Sequence, residues 1–246
     1  MACGLLQNAG MKTKLFLISG WSWGRSALES MAVLLADDFD VALLSSEEVI
    51  APGTLTSTLP TDRPCVLAGW SIGGMLALEA ATGVADGSML CLIGSTARFV
   101  AGDDTPHGVP MAEVRSMSIS FRRKPEETLA NFDVQAALPH DLIARAEPFD
   151  GDQDDCRKLA DGLKYLRDAD LRETASRVRV PTLILHGQED RVISVDAADD
   201  LSRRLETSHV RRMEAVGHDL PVRCPEWIVS NLIDYWKNDV ARTDAG

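Results

Sequence analysis

One short segment limits the folds open to this chain more than any other. Residues 64–68 (PCVLA) form an apolar run typical of a buried strand, and residues 71–81 follow at once with a helical period. Between them stands Gly69-Trp70-Ser71-Ile72-Gly73, in which small residues flank a serine. A strand, a glycine-rich turn and a helix together predict a nucleophile elbow, with Ser71 at its tip. The alternative is an ordinary glycine-rich turn whose serine caps the helix.

The same alternation of apolar runs and helical periods continues on both sides of this segment. It is typical of βα units around a mostly parallel sheet. Further strands are predicted at residues 14–19, 41–44, 89–93, 181–185 and 209–213, and further helices at residues 26–35, 195–205 and 225–236.

Residues 97–174 break this alternation, because strand signals disappear and helical periods replace them. Two helices are predicted here, one that begins at Pro125 and ends before Pro139, and one over residues 154–167. Ligands bind at the carboxyl ends of parallel strands, so an insertion at this place is expected to form a lid. We predict a core of residues 1–96 and 175–246, with residues 97–174 as the lid.

Composition excludes several classes of function. With 246 residues and a net charge of −12, the chain suits one α/β domain that has no general attraction to nucleic acid or anionic membranes. The five cysteines are widely spaced and form no CxxC pair, which argues against a disulfide framework or a zinc ribbon. There is no long apolar span and no signal-peptide pattern at the start. We expect a cytoplasmic monomer without metal or cofactor.

A serine nucleophile needs a base, and the base needs an acid that orients it. In this type of fold they follow the serine in the order acid, then histidine. Asp190 lies in a loop just after the strand at 181–185, and His218 lies just after the strand at 209–213. Both loops are expected at the same sheet edge as Ser71. We therefore predict the triad Ser71, Asp190 and His218.

Other titratable residues are weaker candidates. Glu189 ranks second for the acid, and Asp196 is better explained by the start of a helix. His186 ends a strand, where a packed, hydrogen-bonded histidine is expected. The remaining histidines are interpreted as structural or solvent-facing; they are His107, His140 and His209.

The oxyanion formed in acyl transfer needs two backbone N–H donors. Ile72, directly after the nucleophile, supplies one, and Trp21 in the loop after the first strand is our choice for the other. The side chains of Trp21 and Trp70 either wall an apolar acyl pocket or pack in the core. Leu129 and Phe132 lie on the apolar stripe of a lid helix and are expected to face that pocket or the main domain.

These motifs make the chain similar to the α/β-hydrolase superfamily, and within it to carboxylesterases that demethylate pimeloyl-acyl-carrier-protein methyl ester in biotin synthesis. The resemblance spans residues 15–236. It rests on Gly20-Trp21, Gly69-Trp70-Ser71-Ile72-Gly73-Gly74, residues 94–99 (GSTARF), Asp170-Leu171-Arg172, Pro181-Thr182-Leu183, Asp190 and Gly217-His218. The resemblance implies an α/β-hydrolase fold and ester hydrolysis through an acyl-enzyme, with no cofactor.

The chain departs from that family's pattern in two loops. Ser19-Gly20 stands where His-Gly is usual, and residues 44–48 (LSSEE) replace a common D-x-x-G-x-G-x-S run. The leading hairpin is also shortened. These differences bear on the substrate more than on the chemistry.

Arg122, Arg123 and Lys124 form a basic cluster in an otherwise acidic chain. One interpretation is a solvated loop. The other, implied by the resemblance, is a docking edge for an acidic acyl carrier protein.

Two rival functions remain open. A C–C-bond hydrolase or lyase on the same fold would turn over short p-nitrophenyl esters poorly. A small-molecule receptor with a slow triad would show stoichiometric rather than repeated turnover.

Overall fold

The computed structural model describes residues 12–145, 149 and 151–240. Residues 1–11, 146–148, 150 and 241–246 lie outside this part, and with them Cys3 and the outer limits predicted for the core, residues 1 and 246.

A six-stranded parallel sheet forms the centre of the molecule, as predicted. The strands lie in the order β2-β1-β3-β4-β5-β6. Their bounds are β1 Thr13–Ile18, β2 Phe39–Leu44, β3 Cys65–Trp70, β4 Met89–Ile93, β5 Thr182–Gly187 and β6 Ser208–Met213. The strand that leads to Ser71 is the third of the six and is fully buried, because neighbouring strands and helices cover both its edges and both its faces.

Helices cover both faces of the sheet and fill the segment between β4 and β5. Their bounds are α1 Glu29–Leu35, α2 Ser46–Val49, α3 Thr54–Thr58, α4 Ile72–Ala80, α5 Met111–Arg123, α6 Pro125–Ala137, α7 Gln153–Asp168, α8 Arg172–Ala175, α9 Asp196–Arg204, α10 Leu220–Arg223 and α11 Pro225–Tyr235. Short 3₁₀ turns occupy Ser26–Leu28 and Ala81–Gly83, and a π-helical turn at Trp236–Val240 follows α11.

Two apolar clusters hold these layers together. Side chains alternate along β3, so Leu67 joins the cluster on one face of the sheet and Val66 and Ala68 join the cluster on the other. The lid helices extend the first cluster with Phe121, Leu129 and Leu159, among others. Lid and core therefore share buried apolar surface, and the lid is held in place by the hydrophobic effect as well as by polar contacts.

The predicted lid helices are confirmed, and a third precedes them. Helix α6 begins at Pro125 and buries Leu129 and Ala136, as its stripe predicted. Helix α5 was missed, although it buries Val114 and Phe121 and Met117, which packs against the same cluster, completes an i, i+3, i+7 spacing. The interpretation of the basic cluster as a loop is therefore wrong. Arg122 and Arg123 form the last turn of α5, where the helix dipole favours cations, and Lys124 links α5 to α6.

Within the described residues, none of the helices has the length and hydropathy needed to cross a membrane.

Candidate active site

Ser71 occupies the sharp turn between β3 and α4. Its φ is +57°, in the left-handed region that residues with a Cβ rarely adopt. Backbone and side-chain bonds hold it there: its N–H donates to the Ile93 carbonyl at 2.9 Å, and its own carbonyl accepts from Gly74 N at 3.0 Å and Ser95 Oγ at 2.8 Å. A serine fixed in this conformation projects its hydroxyl from the carboxyl edge of the sheet, as the motif predicted.

The glycines around Ser71 are required by close packing of backbone on backbone. A Cβ at Gly69 would lie 2.2 Å from the Gly73 carbonyl oxygen, and one at Gly73 would lie 2.4 Å from the Ser19 carbonyl oxygen. Both distances are far below van der Waals contact. The elbow therefore requires glycine at each of these positions if helix α4 is to approach β1 and β3 this closely.

Asp190 and His218 meet at the same edge of the sheet. His218 Nδ1 lies 2.7 Å from Asp190 Oδ2, and the side chains are 1% and 0% exposed. The other carboxylate oxygen of Asp190 accepts the N–H groups of Val192 and Ile193 at 2.8 and 2.9 Å. Because Nδ1–H donates to a carboxylate, the neutral ring presents its lone pair on Nε2. Nε2 is buried and has no hydrogen-bond partner among the described residues, so it is available to take a proton.

A second imidazole supports the acid. His186 is fully buried, its Nε2 is 2.9 Å from the Ile193 carbonyl oxygen, and the same nitrogen lies 3.4 Å from Asp190 Oδ2. Burial by itself raises the pKa of Asp190, but the charge and hydrogen bond of His218 and the hydrogen bond from His186 outweigh it and hold that pKa below its ordinary value. Asp190 is therefore ionised at neutral pH, as an orienting acid must be. The sequence indicated that His186 would be packed and hydrogen-bonded, but not that it would contact Asp190.

Residues 19–24 form a loop, here called the oxyanion loop, that passes beside Ser71. A Cβ at Gly20 would lie 3.4 Å from Ser71 Cβ and 3.2 Å from the Trp70 ring, so the backbone approaches Ser71 closely. Trp21 follows Gly20 directly. Ile72, on the other side, is the first residue of α4, where an amide has no intrahelical acceptor. The structure thus brings both sequence-predicted donor residues to the surroundings of Ser71.

The lid closes over this site. The Phe132 ring on α6 packs edge-on against Trp21 at 5.2 Å and against His218 at 6.5 Å. Trp21 Nε1 donates to the Leu159 carbonyl on α7 at 2.8 Å, and Asp219 N donates to the Ala136 carbonyl at 3.0 Å. Ser71 and His218 are only 5% and 1% exposed as a result. Helices α6 and α7 therefore cover this site.

The two candidate pocket tryptophans lie in different places. Trp21 is 2% exposed and packs among the lid helices with Phe121, Phe132 and the cluster that contains Leu129. Trp70 lies in the cluster on the other face of the sheet, and its Nε1 donates to the His218 carbonyl at 2.9 Å. The position of Trp70 fits the core-packing alternative, in which its side chain packs in the core and its hydrogen bond holds the backbone at His218.

The other candidates lie apart from the reaction centre. Glu189 is exposed, and Asp196 is the first residue of α9. His140 Nε2 is 2.6 Å from the Ala215 carbonyl oxygen, and His209 packs against Tyr235. His107 is half-buried in the loop before α5.

The basic cluster lies at the end of α5. Arg122 and Arg123 are exposed, whereas Lys124 pairs with Glu127 at 2.7 Å. In the described part of the chain, no three histidine, cysteine or acidic side chains converge in a way that could hold a metal ion.

Comparison with known proteins identifies the family of this chain. The model of the alpha/beta hydrolase family matches residues 15–231. A pimeloyl-[acyl-carrier protein] methyl ester esterase from Stenotrophomonas maltophilia is 31% identical over 75% of this chain and 78% of its own length. An esterase from Exiguobacterium antarcticum (TM-score 0.74, 19% identity) and a bromoperoxidase from Bacillus anthracis (TM-score 0.78, 17% identity) share the fold, each over 93% of both chains. By sequence and by architecture, this chain belongs to the alpha/beta hydrolase family.

Proposed function

We propose that the chain is a serine carboxylesterase in which Ser71, His218 and Asp190 act as a catalytic triad. The observation that carries the proposal is the His218–Asp190 contact of 2.7 Å at the sheet edge that also holds a serine at φ +57°. The 31% identity to an enzyme named as a methyl ester esterase supports it further.

The chemistry follows from the protonation states. Ser71 Oγ attacks the ester carbonyl carbon while His218 Nε2 takes the hydroxyl proton, and the carbonyl π electrons move to oxygen. The N–H groups of Trp21 and Ile72 stabilise that oxyanion. The tetrahedral intermediate collapses, the C–O bond to the alcohol breaks, and His218 gives its proton to the leaving alkoxide. Water then attacks the acyl-enzyme by the same steps, which releases the acid and regenerates Ser71.

As substrate we propose the methyl ester of a pimeloyl group carried on an acyl carrier protein, in biotin synthesis. Several relatives bear that substrate in their names, at 26–31% identity. The apolar side chains of Trp21 beneath the lid and of Phe132 and Leu129 on lid helix α6 suit a hydrocarbon acyl chain. The cysteines of the sequence are widely spaced and include no CxxC pair, which favours a reducing compartment, so we place this reaction in the cytoplasm.

We further propose that Arg122, Arg123 and Lys124 guide the carrier. They are exposed at the end of a lid helix, and acyl carrier proteins are acidic. The cluster is therefore a local positive patch that attracts such a partner, although the net charge of the chain is negative. Replacing all three by Glu should lower kcat/KM for the carrier-bound ester and weaken its dependence on salt, while hydrolysis of p-nitrophenyl acetate stays unchanged.

A matched control carries the same change of charge at the opposite end of the sheet. Arg63, Arg177 and Arg179 are exposed and precede strands β3 and β5, so they lie at the amino edge, away from Ser71. Their triple replacement by Glu should leave the carrier-bound reaction near the wild-type rate. If both triple variants lose the same fraction of activity, net charge explains the effect and the docking edge does not.

The assigned pathway is tested by growth. A bacterial strain that needs biotin because it lacks its own methyl ester esterase should grow without biotin when it carries this chain, and should fail to grow when it carries Ser71→Ala. Failure of the wild-type chain, with esterase activity intact in the lysate, would assign the enzyme to another ester.

A further inference from the structure

A partly buried arginine outside the triad joins the lid to the oxyanion loop. Arg145 lies after α6, its side chain is 13% exposed, and its guanidinium forms a two-pronged ion pair with Asp133 of α6. The same group donates to the Ser22 carbonyl and, at 3.0 Å, to Ser22 Oγ. Its Cζ lies 4.4 Å above the Trp23 ring. The Arg145 side chain therefore contacts lid helix α6 through Asp133 and the oxyanion loop through Ser22 and Trp23.

Ser22 is held in a conformation that serine seldom adopts by itself. Its φ is +66°, in the left-handed region, which costs free energy for a residue with a Cβ. Its N–H donates to Glu47 Oε1 at 2.8 Å, and its carbonyl and hydroxyl accept from Arg145. The Trp21 carbonyl and the Ser22 N–H share one peptide, and the N–H of Trp21, the proposed oxyanion donor, belongs to the peptide before it. The contacts that fix Ser22 therefore hold the backbone directly after Trp21 and, through it, limit the direction of the Trp21 N–H.

We propose that Arg145 is a positioning residue, which holds the oxyanion loop in its catalytic conformation only when the lid is closed. The inference rests on the proposed function, since it assigns Trp21 N–H as an oxyanion donor. Asp133 is part of α6, so a shift of α6 moves Asp133 and the Arg145 side chain bonded to it. The bonds of Arg145 to Ser22 and its contact with Trp23 form only when α6 is in the closed position. Closure of the lid over the substrate thus completes the oxyanion hole at the same moment.

The chemistry of the contact explains why an arginine stands here. A guanidinium has five N–H donors in a planar fork, so it satisfies both carboxylate oxygens of Asp133 and both oxygens of Ser22, and its face still stacks on Trp23. A lysine ammonium has three donors around one atom and no flat face. Arg145→Lys therefore keeps the charge opposite the buried Asp133 but cannot make all the bonds to Ser22.

Two variants separate a positioning role from a stabilising one. Arg145→Lys preserves the ion pair, and Arg145→Met combined with Asp133→Asn removes both buried charges together, so neither leaves a lone carboxylate in the interior. We expect both to fold, as checked by circular dichroism and Tm. Loss of an entire oxyanion donor lowers kcat by roughly 10²–10³-fold, so a misdirected donor should lower kcat by about 10- to 100-fold with KM within twofold.

The affinity for a trifluoromethyl ketone reports on the oxyanion hole directly. Ser71 Oγ adds to its carbonyl carbon, the proton passes to His218, and the oxygen becomes an anion that the same N–H groups bind. Its inhibition constant should therefore rise by the same factor as kcat falls in both variants. Arg157→Met is the matched control, because Arg157 is an exposed lid arginine paired with Asp154 on α7. It should behave as the wild type in both assays.

The outcomes are distinct. Kinetics and inhibitor affinity within twofold of wild type in both variants would overturn the proposal, and so would a rise in KM alone or a lower Tm with unchanged kcat. Labelling of Ser71 by a fluorophosphonate, read by mass, tests the underlying function separately. A labelled wild type, an unlabelled Ser71→Ala and unchanged Arg145 variants would refute only the role of Arg145. An unlabelled wild type would refute the proposed function, and the role of Arg145 with it.

Discussion

Replacing Asp190 by Asn changes one atom of the site and should nearly abolish ester hydrolysis. In the wild type, Asp190 Oδ2 accepts the Nδ1–H of His218, while Oδ1 accepts the N–H groups of Val192 and Ile193. The asparagine amide oxygen can keep the two backbone bonds, so its NH₂ group must face His218. An NH₂ donor opposite Nδ1 favours the tautomer whose proton is on Nε2. That ring cannot accept a proton from Ser71.

The size of the effect follows from the mechanism. The analogous exchange in a serine protease triad lowers kcat by about 10⁴-fold, since the imidazole is left in the wrong tautomer. At about 1.36 kcal/mol for each factor of ten, this corresponds to roughly 5.4 kcal/mol of lost transition-state stabilisation. The backbone bonds to Oδ1 survive, so the variant should fold and bind ester with a KM close to that of the wild type.

The assay is hydrolysis of a short p-nitrophenyl ester, with Tm measured on the same samples. Glu189→Gln is the matched control, because Glu189 is the exposed neighbour of the buried acid and should retain activity within about twofold. Asp196→Asn at the start of α9 should do the same. Full activity of Asp190→Asn together with loss in Glu189→Gln would show that the acid has been assigned to the wrong residue.

Three further predictions concern the lid, the elbow and pH. Phe132→Ala should raise KM severalfold for long acyl esters but little for acetate, because the ring packs on Trp21 under the lid; equal losses at all chain lengths would make Phe132 structural. Gly73→Ala should cost at least about 2 kcal/mol of unfolding free energy in denaturant titrations, whereas Gly83→Ala, whose Cβ would meet only Thr56 Cγ2 at an ordinary 3.9 Å, should cost under about 1 kcal/mol. The pKa of Asp190 is lowered on folding, so its contribution to stability is full above about pH 5 and declines as acid titrates it; wild type and Asp190→Asn should therefore converge in unfolding free energy at low pH, and a constant difference would contradict this linkage.

Sequence patterns predicted those helices and strands that are determined by residues close together in the sequence. The apolar run before Ser71 became the fully buried strand β3, and the stripe of α6 buried Leu129 as expected. The order of Ser71, Asp190 and His218 along the chain, each after a strand, was enough to place all three at one sheet edge, because the strands are parallel.

The features that escaped prediction arise from contacts between distant segments. Helix α5 is an exception, because Val114, Met117 and Phe121 recur at helical spacing and it was missed as a short local stripe among polar residues. Arg145 lies in a segment without a regular pattern, and its partner Ser22 is 123 residues away. The contact of His186 with Asp190 depends on how the loop after β5 folds back. No spacing rule for a single sequence contains this information.

The central claim is that Ser71 is the nucleophile of an esterase whose substrate is a methyl ester bound to an acyl carrier protein. The most direct measurement incubates pimeloyl-acyl-carrier-protein methyl ester with the wild type or with Ser71→Ala and follows the mass of the carrier. We predict that the wild type removes the equivalent of one methylene group from the carrier and releases methanol over many turnovers, while Ser71→Ala does so at least about 10⁴-fold more slowly. Equal rates for the two proteins would contradict the claim.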